Sequence, residues 1–321
     1  MVLAAGYDIA FVNLGIEIQH IVNGFMLPIF GGFEIKYYGL IIGIGVLAGM
    51  FVAERNAKAA GLGGDVIYDF GIYAVIFSVL GARIYYVIFS WDMYKDDLIQ
   101  VFNIRNGGLA IYGAVIAAVS TLFIFCKIKK LPALKLGDCC IPGLILGQAI
   151  GRWGNFVNCE VFGGYTDNLF AMQIRRSLAD PAMVSQELLD HLVVKGGVEY
   201  IQVHPTFLYE SVWDLCVFII LMWVFYQSVP SGGSGSNSGG GSAGSSEGKS
   251  RKAIYGKKFD GEIMCLYFIL YGIGRFVIEG IRVDQLMLFS TGIAVSQLLS
   301  AVMVITAAGI VVWKRRGRKN A

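Results

Sequence analysis

Charge is what this chain has least of. Of its 321 residues only 15% are Asp, Glu, Lys or Arg, while 56% are hydrophobic. Soluble domains carry about 25% charged residues, so the deficit argues against a soluble domain and for an integral membrane protein. Histidine is scarce as well, with three residues, and cysteine is limited to Cys126, Cys139, Cys140, Cys159, Cys216 and Cys265. The cysteines lie in or at the ends of apolar stretches and lack metal-ligand spacing. They read as small packing residues, and no metal or cofactor is expected. Residues 1–13 lack a basic n-region and an apolar h-region, so a cleavable signal is not expected. The net charge of +3 gives no reason to expect a nucleic-acid partner.

What is present is apolar length. The mean hydropathy is +0.63, and seven long runs contain little charge: residues 37–54, 66–90, 107–126, 136–158, 205–227, 259–281 and 291–313. Each is long enough to cross a bilayer as a helix, the first being the shortest. Residues 14–30 are considered as a further, interfacial helix. The expected fold class is an all-α polytopic membrane protein of about seven transmembrane helices, one membrane-embedded domain in the lipid bilayer. Residues 159–204 form its largest outer segment, a small folded cap. Residues 228–252, "SVPSGGSGSNSGGGSAGSSEGKSRK", are too rich in Gly and Ser to bury a core and read as a disordered insertion without chemistry.

Lysine and arginine set the orientation. Seven spans sort the connecting segments into two sets, one holding sixteen basic residues and the other six. The richer set includes Lys127, Lys129, Lys130 and Lys135 and the C-terminal Lys314, Arg315, Arg316, Arg318 and Lys319. The N-terminus is therefore expected outside and the C-terminus in the cytoplasm, with the insertion on the cytoplasmic side.

Four basic residues belong to neither set, because Arg83, Arg152, Arg275 and Arg282 lie inside spans or at their ends. A charge there costs several kcal/mol unless it finds a partner or water, which makes each a functional candidate by default. Snorkelling suits Arg282 best and Arg152 and Arg275 less, since more helix follows them. Gln148, Arg152 and Asn155 share one face of the fourth span, and Tyr271, Arg275, Glu279 and Arg282 one face of the sixth. For Glu279 an intrahelical pair with Arg275 is the plainer reading. By the predicted topology Tyr38, "NGGLAIYG" (106–113) and "HPTFLYE" (204–210) also fall at outer ends. The polar constellations thus converge on one leaflet, which suits a one-sided chemical site better than a transport path. Guanidinium groups with Asn155 and tyrosines fit an anionic lipid headgroup, and Gly107, Gly108 and Gly113 allow close backbone approach. This points to an outer-leaflet phospholipid site in an enzyme. The alternative is a lipid-binding or lipid-transporting protein without covalent chemistry.

"GQAIGRWGNFVNCEVFG" (147–163) resembles the signature of the prolipoprotein diacylglyceryl transferase family. Four further stretches match that family in order: "EIKYYGL" (34–40), "GARIYYVIF" (81–89), "HPTFLYES" (204–211) and "YGIGRFVIEGIRVD" (271–284). The resemblance spans roughly residues 30–313 without the insertion. It implies transfer of diacylglyceryl from phosphatidylglycerol to the lipobox cysteine thiol of a prolipoprotein signal peptide, the first step of bacterial lipoprotein maturation. The setting it implies is the bacterial plasma membrane, with the active site facing the outer leaflet. It carries function onto Arg152, Asn155, Glu160 and Gly163, onto Tyr38, Tyr271, Arg275, Glu279 and Arg282, and onto His204, Tyr209 and Glu210. Asn158 joins them as part of the same headgroup wall, and Arg83, Gly107 and Gly108 as further substrate contacts. Many members carry histidine in "GG-x-x-x-H-G", whereas Tyr112 stands there in this chain. Tyrosine titrates near 10, so Tyr112 either positions substrate or the thiol's proton goes to another group such as His204. His20 and His191 have no motif around them and read as surface residues.

Overall fold

A computed structural model of the chain describes residues 6–19, 21, 24–27, 33–103, 107–229, 259–285, 287 and 294–317. The chain opens with four short strands, β1 (Ile9–Phe11), β2 (Ile16–Ile18), β3 (Gly24–Leu27) and β4 (Phe33–Lys36). Four helices follow: α1 (Tyr37–Ala59), α2 (Asp65–Phe89), α3 (Ile111–Lys129) and α4 (Ala133–Val157). Then come β5 (Met172–Arg175), the short α5 (Gln186–Asp190), β6 (Val193–Lys195) and β7 (Val198–Val203). The chain closes with α6 (Thr206–Tyr226), α7 (Glu262–Glu279) and α8 (Val295–Gly317).

Among the described residues six helices are long and apolar enough to cross a membrane: α1, α2, α3, α4, α6 and α8. The protein is a mostly helical, multi-pass membrane protein. The remaining predicted span is α7, which has 18 residues but carries Glu262, Arg275 and Glu279 within them. Beyond Leu14, the last residue of a 3-10 turn, the segment considered as an interfacial helix is not helical where it is described. Ile16–Ile18 is strand β2 and Gly24–Leu27 is strand β3, because partner strands there take up the backbone hydrogen bonds a helix would satisfy internally. His20 lies outside the described residues, as does the Gly/Ser segment from residue 230 onward.

The chain divides into two compact units. The first comprises Met1–Gly49, Pro142–Ser228 and Ile254–Ala321. Its helices are drawn together by small residues. A Cβ placed at Gly49 would lie 2.6 Å from the Gly143 carbonyl, and one at Gly45 3.0 Å from that of Gly147. Glycines four apart on both α1 and α4 thus let the two backbones touch. A Cβ on Gly272 of α7 would meet Val304 of α8 at 2.7 Å. Between α6 and α7, Gly274 makes room for the Trp213 indole, whose Nε1 donates to the Leu270 carbonyl at 3.0 Å.

The same unit carries a five-stranded antiparallel sheet in the order β2-β1-β5-β7-β6. Alternation sorts its faces. Ile9, Met172, Ile174, Ile201 and Val203 pack with Phe162, Leu188 and Phe207 into a buried core. On the other face Gln173 donates to its cross-strand partner Gln202 at 2.9 Å and accepts from the Tyr7 hydroxyl. Strands β5, β6 and β7 of residues 159–204 thus share one sheet with β1 and β2 from the start of the chain. Through Cys159, Phe162 and Phe207 its core joins the C-terminal end of α4 to the N-terminal end of α6.

The second unit comprises Met50–Ile141 and Val229–Ala253. Its centre is the α2–α3 hairpin, where Gly81 and Gly113 face each other closely enough that a Cβ at Gly81 would lie 2.7 Å from the Gly113 carbonyl.

Candidate active site

At the sheet-bearing end of the first unit, three guanidiniums gather on one carboxylate. Glu210 sits in the first turns of α6 with its side chain 2% exposed. Arg152 Nε from α4 lies 2.7 Å from its Oε2. Arg275 Nη1 from α7 donates to Oε1, and Arg282 Nη1, just past α7, lies 3.7 Å from the same oxygen. Each arginine owes its place to helical phase or to the turn that follows. Arg275 also reaches Glu279, one turn further along α7, at 2.5 Å. Arg282 closes a two-pronged pair with Asp284, Nε to Oδ1 at 2.8 Å and Nη2 to Oδ2 at 2.6 Å. Burial disfavours the Asp284 charge, but the Arg282 guanidinium outweighs it and holds that carboxyl below the ordinary range. The plainer reading of Glu279 therefore holds: it pairs with Arg275 within its own helix.

Beside this hub, the turn after α4 presents Glu160. Its Oε1 accepts from Asn155 Nδ2 at 2.9 Å and from Asn158 Nδ2 at 3.4 Å. The flanking residues Cys159 and Val161 both have positive φ, 52° and 58°. Such backbone costs about 1–3 kcal/mol per residue and persists only where its surroundings enforce it. Here the Thr206 hydroxyl at the start of α6 donates to the Val161 carbonyl, and Phe162 is locked in the cap core. Burial pushes the Cys159 thiol up to about 11, so it stays protonated and packs, as the sequence suggests.

Gly163 is a junction. Its N–H donates to the His204 carbonyl at 3.0 Å, His204 N–H donates to Gly164 at 3.0 Å, and Gly164 N–H donates to Ile281 at 3.0 Å. Gly163 also forms a bridge with Arg282. The turn after α4, the end of β7 and the end of α7 are stitched together at a residue without a side chain. His204 Nδ1 lies 3.3 Å from the Tyr209 hydroxyl and 3.5 Å from Asn168 Nδ2, which itself donates to Tyr209 at 3.0 Å. Burial lowers the imidazole's proton affinity below the ordinary value.

The remaining predicted residues of this unit lie close by. The Tyr38 ring packs where a Cβ on Gly154 would lie 2.6 Å from it. Tyr271 stacks on Tyr267 with ring centroids 5.3 Å apart, and Tyr267 donates to Gln148 at 3.1 Å. Trp153 Nε1 donates to Ser211 at 3.2 Å, tying α4 to α6 next to the hub. An apolar groove of about 320 Å³ runs below it, lined by Ile41, Ile44, Leu146, Ile150, Trp153 and Leu215 among others.

Arg83, Gly107, Gly108 and Tyr112 belong to the second unit. The five N–H groups of Arg83 meet five carbonyls: Val101 at 2.7 Å, Gly107 at 3.0 Å, Gly108 at 2.9 Å, Gln100 at 2.5 Å and Asn103 at 3.1 Å. Gly107 and Gly108 have φ of 85° and 76°, the left-handed backbone that turns both carbonyls onto this arginine. Tyr112 is half exposed, its ring 6.3 Å from that of Tyr85. His191 is exposed and stacks on Tyr165.

Sequence reasoning passed over Asp284, Asn168 and Asp214. Asp284 stood inside the quoted "IRVD", two residues from Arg282, where its acid partner was readable. Asn168 reaches His204 across 36 positions, a distance that local pattern does not reveal. Asp214 lies one helical turn after Glu210 and was readable as a charge inside an apolar span. Among the described residues no group of three or more His, Cys, Asp and Glu stands placed to hold a metal ion.

Fold and site together define a multi-pass membrane protein in which three arginines gather on one buried carboxylate. The chain belongs to the prolipoprotein diacylglyceryl transferase family, whose model matches residues 25–239 and 248–313. It is 39% identical over 280 residues to a phosphatidylglycerol–prolipoprotein diacylglyceryl transferase of Finegoldia magna, covering 87% of this chain and 90% of that one. To the protein of the same name in Clostridium kluyveri it is 37% identical over 290 residues, 90% and 96% of the two chains. To that of Staphylococcus haemolyticus it is 36% identical over 285 residues, 89% and 86%.

Proposed function

We propose that this protein transfers the diacylglyceryl group of phosphatidylglycerol to the lipobox cysteine thiol of a prolipoprotein, at the outer leaflet of a bacterial plasma membrane. The carrying observation is the convergence of Arg152, Arg275 and Arg282 on Glu210. Three guanidiniums gathered at one point support the reading that a phosphodiester is held there. The family membership and the names of the relatives support the same reaction. The apolar groove along α1, α4 and α6 begins beside Trp153 and Ser211, the sequence neighbours of Arg152 and Glu210, and suits a hydrocarbon tail hanging from a headgroup at the arginines.

In this reading the cysteine thiolate attacks the glyceryl carbon bonded to the phosphate oxygen. The carbon–oxygen bond breaks, a thioether forms and glycerol phosphate leaves. Arg152 and Arg275 stabilise the charge growing on the phosphate, while Asn155, Asn158 and Glu160 form one wall of the pocket. His204, kept neutral by burial, takes the thiol proton, and Tyr112 positions substrate. Arg83, with its N–H groups spent on carbonyls, braces the loop that bears Gly107 and Gly108. The proposed topology has seven spans, the N-terminus outside and the C-terminus in the cytoplasm, following the basic residues. Incubating the purified protein with phosphatidylglycerol labelled in its diacylglyceryl group and a lipobox peptide tests the reaction. Label is expected on the peptide as a thioether. Lipid binding without labelled peptide would instead support a non-catalytic carrier.

A further inference from the structure

The hub holds more acid than base. Arg152, Arg275 and Arg282 face Glu210, Glu279 and Asp284 in ion pairs. That already balances three charges against three. Glu160 adds a fourth carboxylate, satisfied by two amide donors. Asp214 adds a fifth, one turn after Glu210 on α6 and 2% exposed. Its Oδ2 is buried and has no hydrogen-bond donor among the described residues. The groups facing Asp214 are Arg152 of α4, Glu210 of its own helix, and Arg275, Tyr267 and Tyr271 of α7.

A phosphodiester headgroup is a fixed anion, and seating it in a pocket with every carboxylate ionised would add one more negative charge to an existing excess. Protonation of one acid would remove that added charge. Asp284 is paired with a two-pronged arginine, Glu279 with Arg275 and Glu210 with three guanidiniums, and Glu160 accepts from two N–H donors. Among these carboxyls Asp214 Oδ2 and Glu210 Oε2 are the buried oxygens without a hydrogen-bond donor among the described residues. Of the two only Glu210 Oε2 has an arginine in ion-pair contact, so a charge on Asp214 is the least compensated.

We infer that Asp214 is a positioning residue that takes up a proton when the anionic headgroup binds, keeping the arginine pocket electrically able to hold it. The proton comes from solvent, resides on the Asp214 carboxyl while lipid is bound, and returns when the glycerol phosphate product leaves. No bond to substrate is involved. The inference rests on the reading of the arginines as the headgroup site.

Calorimetry of short-chain phosphatidylglycerol binding, with the purified full-length protein in buffers of different ionisation enthalpy, reads proton uptake directly. Wild type is expected to take up about one proton per lipid where Asp214 is ionised before binding, with affinity falling about tenfold per pH unit there. Asp214→Asn, which mimics the protonated side chain, is expected to take up none and to bind with an affinity independent of pH. Asp214→Glu retains an acid and is expected to retain uptake, so it reports even if the Asn variant folds poorly. Equal uptake in wild type and Asp214→Asn, or none in wild type at any pH tested, overturns the inference. Labelled transfer to a lipobox peptide is measured in parallel. Normal transfer with unchanged uptake in Asp214→Asn sinks this inference alone, while wild type that neither binds the lipid nor transfers label sinks the headgroup reading beneath it.

Discussion

Arg152 Nε stands 2.7 Å from Glu210 Oε2, and the carboxylate's side chain is 2% exposed. That pair fastens α4 to α6, and with Arg275 and Arg282 it brings residues of three separate segments to one point. A buried charge network of this kind adds little net stability, because desolvation offsets the attraction. Under the proposed function its value lies in arranging three fixed donors before substrate arrives.

Arg152→Ala and Arg275→Ala are each expected to slow transfer by about 10²–10³-fold, the usual cost of one preorganised donor to a developing oxyanion. Lysine at either position should restore only part of the rate, since the planar fork is lost. Initial rates of labelled transfer, with circular dichroism as a fold control, measure both. An Arg152→Ala enzyme of normal rate would remove the phosphate role.

Glu210→Ala leaves three guanidiniums without their shared partner. A loss of about 3–5 kcal/mol of stability is expected, the range for breaking a buried ion pair, and Glu210→Gln should lose less because it still accepts hydrogen bonds. Thermal unfolding in detergent compares them. Equal stability of wild type and the alanine variant would mean that water already fills the hub.

Gly163→Ala would place a Cβ 2.8 Å from His204 Cβ and 2.9 Å from the Ile281 carbonyl. Both neighbours are fixed by backbone hydrogen bonds, so the junction must open, at a cost of about 1–3 kcal/mol. Transfer should fall more than lipid binding, because the shift moves His204 and Arg282 relative to each other. Measuring both on the same preparation decides whether the junction matters for chemistry.

Legibility differed by element. The long helices were readable because hydropathy accumulates over some 20 residues, and α7 was read as a span despite its three charges. The arginine stripe was readable because charge inside an apolar run is expensive. The sheet was not, because its strands have three to six residues and β1 pairs with β5 across more than 160 positions. Arg83 looked like a headgroup ligand for the same reason as Arg152. Only the folded loop, with five carbonyls turned inward, gives its donors another partner. Glu210 was flagged by its motif, but its place as shared partner of three arginines depends on where α4, α6 and α7 meet.

His204→Ala is expected to cost more than Tyr112→Phe. Losing one hydroxyl bond amounts to about 0.5–1.5 kcal/mol, or about 3 if it reaches a charged phosphate, at most roughly a hundredfold in rate. Losing a general base costs about 10²–10⁴-fold. Burial lowers the His204 pKa, so the working neutral form persists below the ordinary value of about 6.5, and the acid limb of kcat/KM should lie below that pH. Stability has the same sign. The unfolded chain binds the proton more readily, so His204's contribution is complete above about 6.5 and lost as pH falls through the folded value. A dead Tyr112→Phe enzyme beside a normal His204→Ala enzyme would reverse the assignment.

Removing residues 231–246 should leave transfer and thermal stability nearly unchanged. The stretch consists of Gly, Ser, Asn and Ala alone, and the family match breaks off inside it, after residue 239, to resume at 248. A normally expressed deletion variant with collapsed turnover would show that the stretch contributes to the chemistry.

The most direct test of the central claim is single-turnover transfer from labelled phosphatidylglycerol to a lipobox peptide, run beside equilibrium lipid binding for wild type and Arg275→Ala. Wild type is expected to form the thioether and release glycerol phosphate in equal amounts, and Arg275→Ala to lose transfer far more than binding. Tight lipid binding by wild type with no thioether at any peptide concentration would contradict the account.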